Sequence, residues 1–232
     1  MPRPANPTLR DDILAAALRL VEDKGAAGLT MREVAGALGY SATAIYQHFI
    51  SKEDLLLALK LQAGDLLAAE MEAARQEPTI EAQFHDMGRR YVRFGLENPA
   101  YYRLIFQDSV PGLEFTSEHL TRMRRSWEIM RDTLKVWAKT WGVQDIDADY
   151  EANVIWATVH GITSLALAGR LPFTDQQQVF ALFDLAASRW VSGMLNMQLA
   201  QTKKNPPKPT KSRRRSTINK RPPATRARRT VP

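Results

Sequence analysis

The sequence has no cysteine among its 232 residues. This absence excludes a disulfide framework and a thiolate metal site, and it suits a reducing cytoplasm. No stretch approaches the roughly 20 consecutive apolar residues that a membrane-spanning helix needs. The proline-rich first residues also lack the apolar run of a secretory signal. We therefore expect a cytoplasmic protein without a membrane segment.

Motifs of catalysis are absent as well. The four histidines do not show the His-x-x-x-His spacing that would place two metal ligands on one helical face. There is no glycine-rich phosphate loop and no Gly-x-Ser-x-Gly nucleophile elbow. We expect that the protein is not an enzyme and has no catalytic residue, no cofactor and no metal site.

Acidic residues are missing from one part of the chain. Residues 203–232 hold twelve of the 32 lysines and arginines and none of the 25 acidic residues, so the body carries a formal charge of −5. We expect residues 202–232 to be a disordered basic tail, and the proline-rich residues 1–7 to be disordered too. The cations of the tail would add salt-sensitive, sequence-independent affinity for DNA. A functionless tail, or one that binds RNA or a membrane surface, is the alternative.

Between these segments the apolar residues recur at helical spacing, and no convincing strand is found. The sequence therefore predicts an all-α protein of about nine helices. The expected spans are 9–24, 31–38, 42–49, 52–75, 79–97, 100–107, 117–141, 147–169 and 174–200. We expect a DNA-binding domain over residues 8–57 and a helical effector-binding and dimerisation domain over residues 58–201.

Residues 29–54 are the most informative stretch. Thr30 and Glu33 have the spacing of a capping box, which predicts a helix start directly after Thr30. Gly39 can adopt the left-handed conformation that ends this helix, and Ser41 can cap the next one. Two short helices joined by a glycine-containing turn describe a helix-turn-helix, whose second helix lies in the DNA major groove.

Several segments in this region resemble the amino-terminal domain of the tetracycline-repressor (TetR) family, over about residues 8–57. They are Ile13-Leu14, Ala16-Ala17, Leu20 and Gly25, then residues 30–35, Gly39-Tyr40-Ser41, residues 45–49 and residues 51–56. Two later segments are similar to the carboxy-terminal domain of a TetR branch with a Trp-His-Gly motif. They are residues 98–106 and Trp156-x-x-x-His160-Gly161-x-x-x-Leu165.

The second helix of the motif has an apolar face, formed by Ile45 and Phe49, and a face of short or polar residues. Bases are read in the major groove, and a threonine hydroxyl or a methyl group can contact a base edge there. By resemblance, Tyr46, His48 and Lys52 contact phosphates, and Arg32 is a further phosphate or groove contact. The full set of expected DNA-binding residues is Arg32, Ser41, Ala42, Thr43, Ala44, Tyr46, Gln47, His48 and Lys52. Core packing of Tyr46 and simple solvation of Gln47 or His48 are the alternatives.

The resemblance also implies a homodimer through the last two helices, residues 147–169 and 174–200. Both helices are apolar over much of their circumference, which is typical of helices buried on two sides. A monomeric core is the alternative. A dimer would present two recognition helices to the two half-sites of a palindromic operator.

The middle helices are rich in tryptophan, methionine, tyrosine and phenylalanine. Ligand pockets are mostly apolar with a few polar groups, so under the resemblance we expect a cavity for a small apolar or aromatic effector. The candidate ligand-binding residues are Tyr91, Phe106, Met123, Trp127, Trp156 and His160, with Arg103 as a further polar candidate. Ordinary core packing is the alternative for each of them.

We therefore expect a DNA-binding transcriptional regulator in the bacterial cytoplasm, associated with the nucleoid. The preferred hypothesis is a dimeric repressor that a small ligand releases from its operator; an activator would have the same sequence features. The alternative from another class is a mainly non-specific, nucleoid-type DNA binder that uses the tail and has no effector.

Overall fold

The computed structural model describes residues 8–204, with side chains up to residue 200. Residues 1–7 and 205–232 of the expected disordered segments lie outside this range, but residues 202–204 of the expected tail are helical, because the last helix continues into them. Within this range the chain is all-α with nine helices and no strand, which confirms the predicted fold class. The helices are α1 (Leu9–Gly28), α2 (Met31–Leu38), α3 (Ala42–Tyr46), α4 (Lys52–Ala74), α5 (Ile80–Glu97), α6 (Pro99–Phe106), α7 (Ser117–Thr140), α8 (Ala148–Leu167) and α9 (Gln176–Lys204).

Three helices end three or four residues away from the expected position, and one of them, α9, continues to Lys204 where the sequence predicted an end near residue 200. Gly25 has a φ of +73°, which interrupts α1 where the sequence predicted its end, but helical structure resumes as far as Gly28. Helix α3 ends at Tyr46 and not at Phe49, because Gln47 and His48 form a turn. No glycine or proline follows Tyr46, so the sequence contains no signal for this early end.

Helices α1 to α3 and the start of α4 form a small head around one apolar centre. Ile13, Val34, Ile45, Phe49 and Leu55 are each no more than 1% exposed. Burial of such a side chain contributes roughly 1.5–3 kcal/mol relative to exposure. These contacts hold the three helices together although α3 is only five residues long.

Hydroxyl caps fix the starts of three helices in the head. The side chains of Thr30, Ser41 and Ser51 each accept a hydrogen bond from the backbone N–H three residues later. Such a cap stabilises a helix by about 1 kcal/mol. The donors are the N–H groups of Glu33 (3.3 Å), Ala44 (3.3 Å) and Asp54 (3.1 Å).

Helix α4 runs without interruption from the head into the larger helical body. Its first turns pack in the head against α1, and its remaining length packs on α5, α6 and α7. At the crossing with α7, a Cβ atom on Gly64 would lie 3.8 Å from the backbone of Met123. One continuous helix therefore contacts both the head and the body.

Helix α6 is tied to α4 by a buried lysine. Lys60 is 5% exposed, and its ammonium group donates hydrogen bonds to the carbonyl oxygens of Leu104 and Asp108, the second at 3.0 Å. These carbonyls lie at the C-terminal end of α6, where backbone acceptors lack helical partners. Burial lowers the pKa of Lys60.

Helices α8 and α9 leave an apolar surface uncovered in the single chain. Its exposed members come from both helices: Val154 and Leu165 on α8, and Leu185, Met197 and Leu199 on α9. The opposite sides of the two helices are buried against the body through Val159, Ile162 and Phe183. The two helices are thus apolar on two sides, as their sequences predicted.

Candidate nucleic-acid interface and ligand cavities

Helix α3 has one buried side and one exposed side. Ile45 is 0% exposed and Phe49, just beyond the helix, is 1% exposed, because both pack into the centre of the head. Thr43 and Gln47 are exposed, and Tyr46 is 49% exposed. Because the apolar residues fix α3 to the head, the hydroxyl groups of Thr43 and Tyr46 and the amide of Gln47 remain accessible to a groove of DNA.

The structure places most of the expected DNA-binding residues at the surface of the head. Six of the nine are exposed, and the other three, Ala42, Ala44 and Lys52, are half-buried. The exposed ones are Arg32, Ser41, Thr43, Tyr46, Gln47 and His48. All nine belong to the first turn of α2, the region of α3 or the first turn of α4.

The basic residues of the head differ in the hydrogen bonds and ion pairs that they form. Lys52 donates a hydrogen bond of 2.7 Å to the carbonyl oxygen of Ala27, a tie between α4 and α1 that the sequence did not reveal. An ammonium group has three donors, so two remain. Lys24 pairs with Glu33 at 2.5 Å, and this bond, with one from Thr30, lowers the pKa of Glu33. Among the described residues, no carboxylate lies within ion-pair distance of Arg32.

The helical body contains two apolar cavities. Chamber A has a volume of about 400 Å³ and lies between α5, α7, α8 and α9. Chamber B has a volume of about 600 Å³ and lies between α5, α6, α7 and α8. Both volumes are within the range of roughly 300–1,000 Å³ that is usual for ligand pockets. Met71 of α4, Tyr91 of α5 and Met130 of α7 line both chambers.

The structure brings together five of the six candidate ligand-binding residues. Tyr91, Phe106, Met123, Trp127 and Trp156 line chamber B. His160 lies behind this wall, with its Nδ1 atom 3.1 Å from the hydroxyl of Tyr91. Arg103 lines neither chamber.

Tyr91 and His160 belong to a partly buried polar cluster between α5, α6 and α8. The hydroxyl of Tyr102 lies 2.7 Å from Nδ1 of His160, and Nε1 of Trp156 donates to the hydroxyl of Tyr91 at 3.3 Å. Ser164 lies 3.3 Å from Nε2 of His160. Burial lowers the pKa of His160 and raises the pKa of Tyr91 and Tyr102. The cluster is therefore uncharged at neutral pH.

Trp127 stands out in the wall of chamber B. Its Nε1 is the one buried side-chain polar atom in the described part of the chain that has no hydrogen-bond partner. The guanidinium groups of Arg124 and Arg131 lie 5.8 Å and 5.1 Å from its ring centre. Two cations beside an indole ring are attracted by its π electrons and hold the ring in place.

The sequence did not single out chamber A as a site. Its aromatic wall joins Phe84 of α5, Trp137 of α7 and Trp190 of α9, with ring centres 5.3–6.2 Å apart. Trp190 lies on α9, one of the two helices that the sequence assigned to the dimer contact. The positions of the tryptophans could have predicted this chamber, because all five tryptophans of the chain line chamber A or chamber B.

Other kinds of site are not found in residues 8–204. No group of three or more histidine, aspartate or glutamate side chains there could hold a metal ion. None of the described helices combines the length and the apolar character needed to cross a bilayer.

Known protein families match most of the described chain. Residues 13–59 match the family described as "Bacterial regulatory proteins, tetR family". Residues 84–189 match "Tetracyclin repressor-like, C-terminal domain". These matches do not address the Trp-His-Gly branch, which stays a prediction.

Curated relatives are transcriptional regulators and not enzymes. The chain is 30% identical over 113 residues to the HTH-type transcriptional regulator Rv1816 of Mycobacterium tuberculosis, a match that covers 47% of this chain and 48% of that protein. The chain thus spans about half the length of this relative. It is 25% identical over 155 residues to the regulator RutR of Escherichia coli K12, covering 66% of this chain and 73% of RutR.

Solved structures have the same architecture. A protein of unknown function from Rhodococcus sp. RHA1 aligns with a TM-score of 0.72 and 26% identity, over 83% of this chain and 98% of that one. The fatty acid degradation regulator FadR of Bacillus halodurans aligns with a TM-score of 0.64 and 16% identity, over 80% and 95%, which shows the fold alone. The chain has a helix-turn-helix head and a helical body, and with a family match in each it belongs to the tetracycline-repressor family of bacterial regulatory proteins.

Proposed function

We propose that the protein is a dimeric repressor that binds a palindromic operator and is released by a small apolar or aromatic ligand. The DNA-binding part of this proposal rests on the difference between the two sides of α3. Its apolar residues are buried in the head, and the side with Thr43 and Gln47 is open. We assign DNA binding to residues 8–57, and effector binding and dimerisation to residues 58–201.

Two kinds of DNA contact follow from the chemistry of the exposed side chains. Thr43, Ala44 and Gln47 face the base edges, where a hydroxyl, a methyl group and an amide can distinguish bases. Tyr46 and His48 contact phosphates, which fix the register of the head on the duplex. Arg32, Ser41, Ala42 and Lys52 complete the surface: Arg32 and the two unused donors of Lys52 face phosphates, and Ser41 and Ala42 hold the start of α3 close to the groove.

A dimer is proposed because both α8 and α9 expose large apolar side chains in the single chain. Leu165 and Leu185 are two of these side chains. A second copy that packs the same two helices would bury both and form a four-helix bundle. The bundle would also set the distance between the two heads, and a two-fold pair of heads reads a palindrome.

Release by a ligand is proposed because α4 reaches both the cavities and the head. Met71 lines both chambers, and Lys52 at the other end of α4 holds α1. A ligand shifts the equilibrium only if it binds the conformation with mis-spaced heads more tightly than the DNA-bound one. DNA and ligand would then weaken each other's binding by the same factor.

The first test is selection of bound duplexes from a random pool with the full chain. A short palindrome should be enriched, and the protein should bind it as a dimer at nanomolar concentration. Uniform recovery of all sequences would contradict the proposal. The alternative of a non-specific binder without an effector depends on the basic tail, of which residues 205–232 lie outside the described residues, and it is not favoured.

The second test concerns release. A library of small apolar and aromatic compounds is screened for changes in tryptophan fluorescence, and the compounds that bind are then added to the complex with the selected palindrome. At least one should lower operator affinity tenfold or more. If every bound compound leaves that affinity unchanged, the regulator has no effector of this class.

A further inference from the structure

The walls of chambers A and B share three side chains, which we call the partition. Met71, Tyr91 and Met130 line both chambers, and each of the three side chains is 5% exposed or less. They come from α4, α5 and α7 respectively. The two cavities are therefore neighbours that share these side chains.

Two of the three partition residues are easy to displace. Methionine is unbranched, has three rotatable side-chain bonds and adapts to irregular surroundings at small cost. Tyr91 differs, because its hydroxyl is held by His160 at 3.1 Å and by Trp156 at 3.3 Å. A passage between the chambers would therefore open beside Tyr91, by movement of Met71 and Met130.

The passage is suited to an apolar chain and not to a charge. The only polar group of the partition is the hydroxyl of Tyr91, which is already hydrogen-bonded. His160 and Tyr91 are both neutral, since burial lowers the pKa of the first and raises that of the second. A charged group at this point would lose its hydration without gaining a counter-charge. A polar end of the ligand can meet polar groups in the wall of either chamber. The wall of chamber B includes Arg124, Ser126, Asn153 and Asp149, and that of chamber A includes Glu81, His85 and Asp184.

We propose that the effector is an extended, mainly apolar molecule with a polar end, which occupies chambers A and B at once and displaces Met71 and Met130 from between them. The inference rests on the proposed function, since it names the class of ligand that those cavities take. Together the chambers approach the upper end of the usual size for a ligand site, roughly 1,000 Å³. A compact ligand fills one chamber and leaves Met71 in place.

The test uses a homologous series of straight-chain primary alcohols, from hexanol to hexadecanol, on the full chain labelled with fluorotryptophan. Trp137, Trp141 and Trp190 report on chamber A, and Trp127 and Trp156 report on chamber B. Fluorine NMR resolves the five positions, and single Trp→Phe variants assign them. Calorimetry gives the number of molecules bound.

The expected result is that one hexadecanol molecule per chain shifts the resonances of both chambers. Hexanol should need two molecules per chain to do so, or should shift one set only. Hexadecanol that shifts one set at saturation would overturn the proposal, and so would a series in which no alcohol binds.

Two volume-conserving variants test the partition itself. Met71→Leu replaces a flexible side chain by a branched one in the partition, whereas Met31→Leu makes the same change at a buried methionine of the head that lines neither chamber. Such swaps usually cost less than about 1.5 kcal/mol of stability, so both variants should fold. Met71→Leu should weaken hexadecanol binding at least fivefold and leave hexanol binding within twofold. An equal effect of Met71→Leu on both alcohols would contradict the role of Met71.

These readouts do not require DNA, so the two proposals can fail separately. If hexadecanol occupies both chambers and operator affinity is unchanged, the class of ligand stands and release by the ligand is wrong. If operator affinity falls with a compact ligand in one chamber, release stands and the extended ligand is wrong.

Discussion

The ammonium group of Lys60 on α4 donates a hydrogen bond to the carbonyl oxygen of Leu104, in the last turn of α6. Helix α6 carries Phe106, which lines chamber B, and Tyr102, which contacts His160. The same helix packs against α1 of the head. Lys60 thus fixes the element that lies between the cavity and the DNA-binding head.

Replacement of Lys60 tests how much its hydrogen bonds to Leu104 and Asp108 contribute to stability. Lys60→Met removes the donor and leaves two carbonyl groups of Leu104 and Asp108 without it, so the free energy of unfolding should fall by about 1–3 kcal/mol. Denaturant unfolding followed by circular dichroism measures the change. Lys139→Met is the matched control, because this lysine is exposed, and it should change stability by no more than about 0.5 kcal/mol. Equal stability of the two variants would show that these hydrogen bonds contribute nothing.

Variants of the head should affect sequence preference and general DNA affinity separately. Thr43→Ala should lower the preference for the selected palindrome over random DNA by about 1–3 kcal/mol, because it removes a group that faces base edges. Arg32→Gln should weaken binding to all sequences alike and reduce the salt slope by about one. Fluorescence anisotropy at several salt concentrations measures both. If Thr43→Ala leaves the sequence preference intact, α3 is not the recognition helix.

The uncovered face of α8 and α9 should be the dimer contact. Leu165→Arg and Leu185→Arg each place a charge in the proposed interface, where it would be desolvated, so the protein should become monomeric at micromolar concentration. Val136→Arg makes the same change at an exposed site on α7 and should leave the dimer intact. Analytical ultracentrifugation distinguishes the states. A dimer that persists in both leucine variants would place the interface elsewhere.

His160 should make the protein less stable in acid. Burial lowers its pKa below the usual 6.5 in the folded chain, so below about 6.5 the unfolded chain binds a proton that the folded chain does not. The free energy of unfolding should therefore fall as the pH is lowered from about 7.5 to about 5. His160→Asn should reduce this fall, and urea unfolding across that pH range measures the difference. The role of His160 is wrong if both proteins lose stability equally.

Close packing at Gly95 gives a further prediction. A Cβ atom there would lie 2.4 Å from Cγ2 of Thr163 and 3.0 Å from the ring of Tyr102, so Gly95→Ala should destabilise the protein by about 1–3 kcal/mol. Gly36→Ala is the control, because nothing lies within 4 Å of its Cβ position in α2. That control should raise stability by about 0.5–1 kcal/mol. Thermal unfolding measures both, and equal signs for the two variants would contradict the packing at Gly95.

Local chemistry explains which features the sequence predicted well. The starts of α2, α4 and α8 follow from Thr30, Ser51 and Asp147, whose side chains accept from the backbone three residues later. Such caps depend on a few neighbouring residues, so they can be read without a structure. The end of α3 could not be predicted, because no glycine or proline marks it in the sequence.

Tertiary packing explains what the sequence could not show. A lysine in a helical pattern is usually solvated, and only the position of α6 buries Lys60. The residues of chamber B were named because aromatic residues cluster in the middle helices. Chamber A needs Trp190 of α9 next to Phe84 of α5, and these residues are far apart in the sequence.

The hydrogen bond from Lys52 to Ala27 connects the start of α4 to the head, so that the two can move together. It fastens the far end of α1 to the first turn of α4, so a rotation of α4 would carry the head along as a rigid body. From Met71 to Lys52 the helix measures about 28 Å at a rise of 1.5 Å per residue, so a tilt of about 5° swings the head by roughly 2.5 Å. In a two-fold pair the two displacements add, which alters the reach between neighbouring turns of the double helix while each head keeps its own shape.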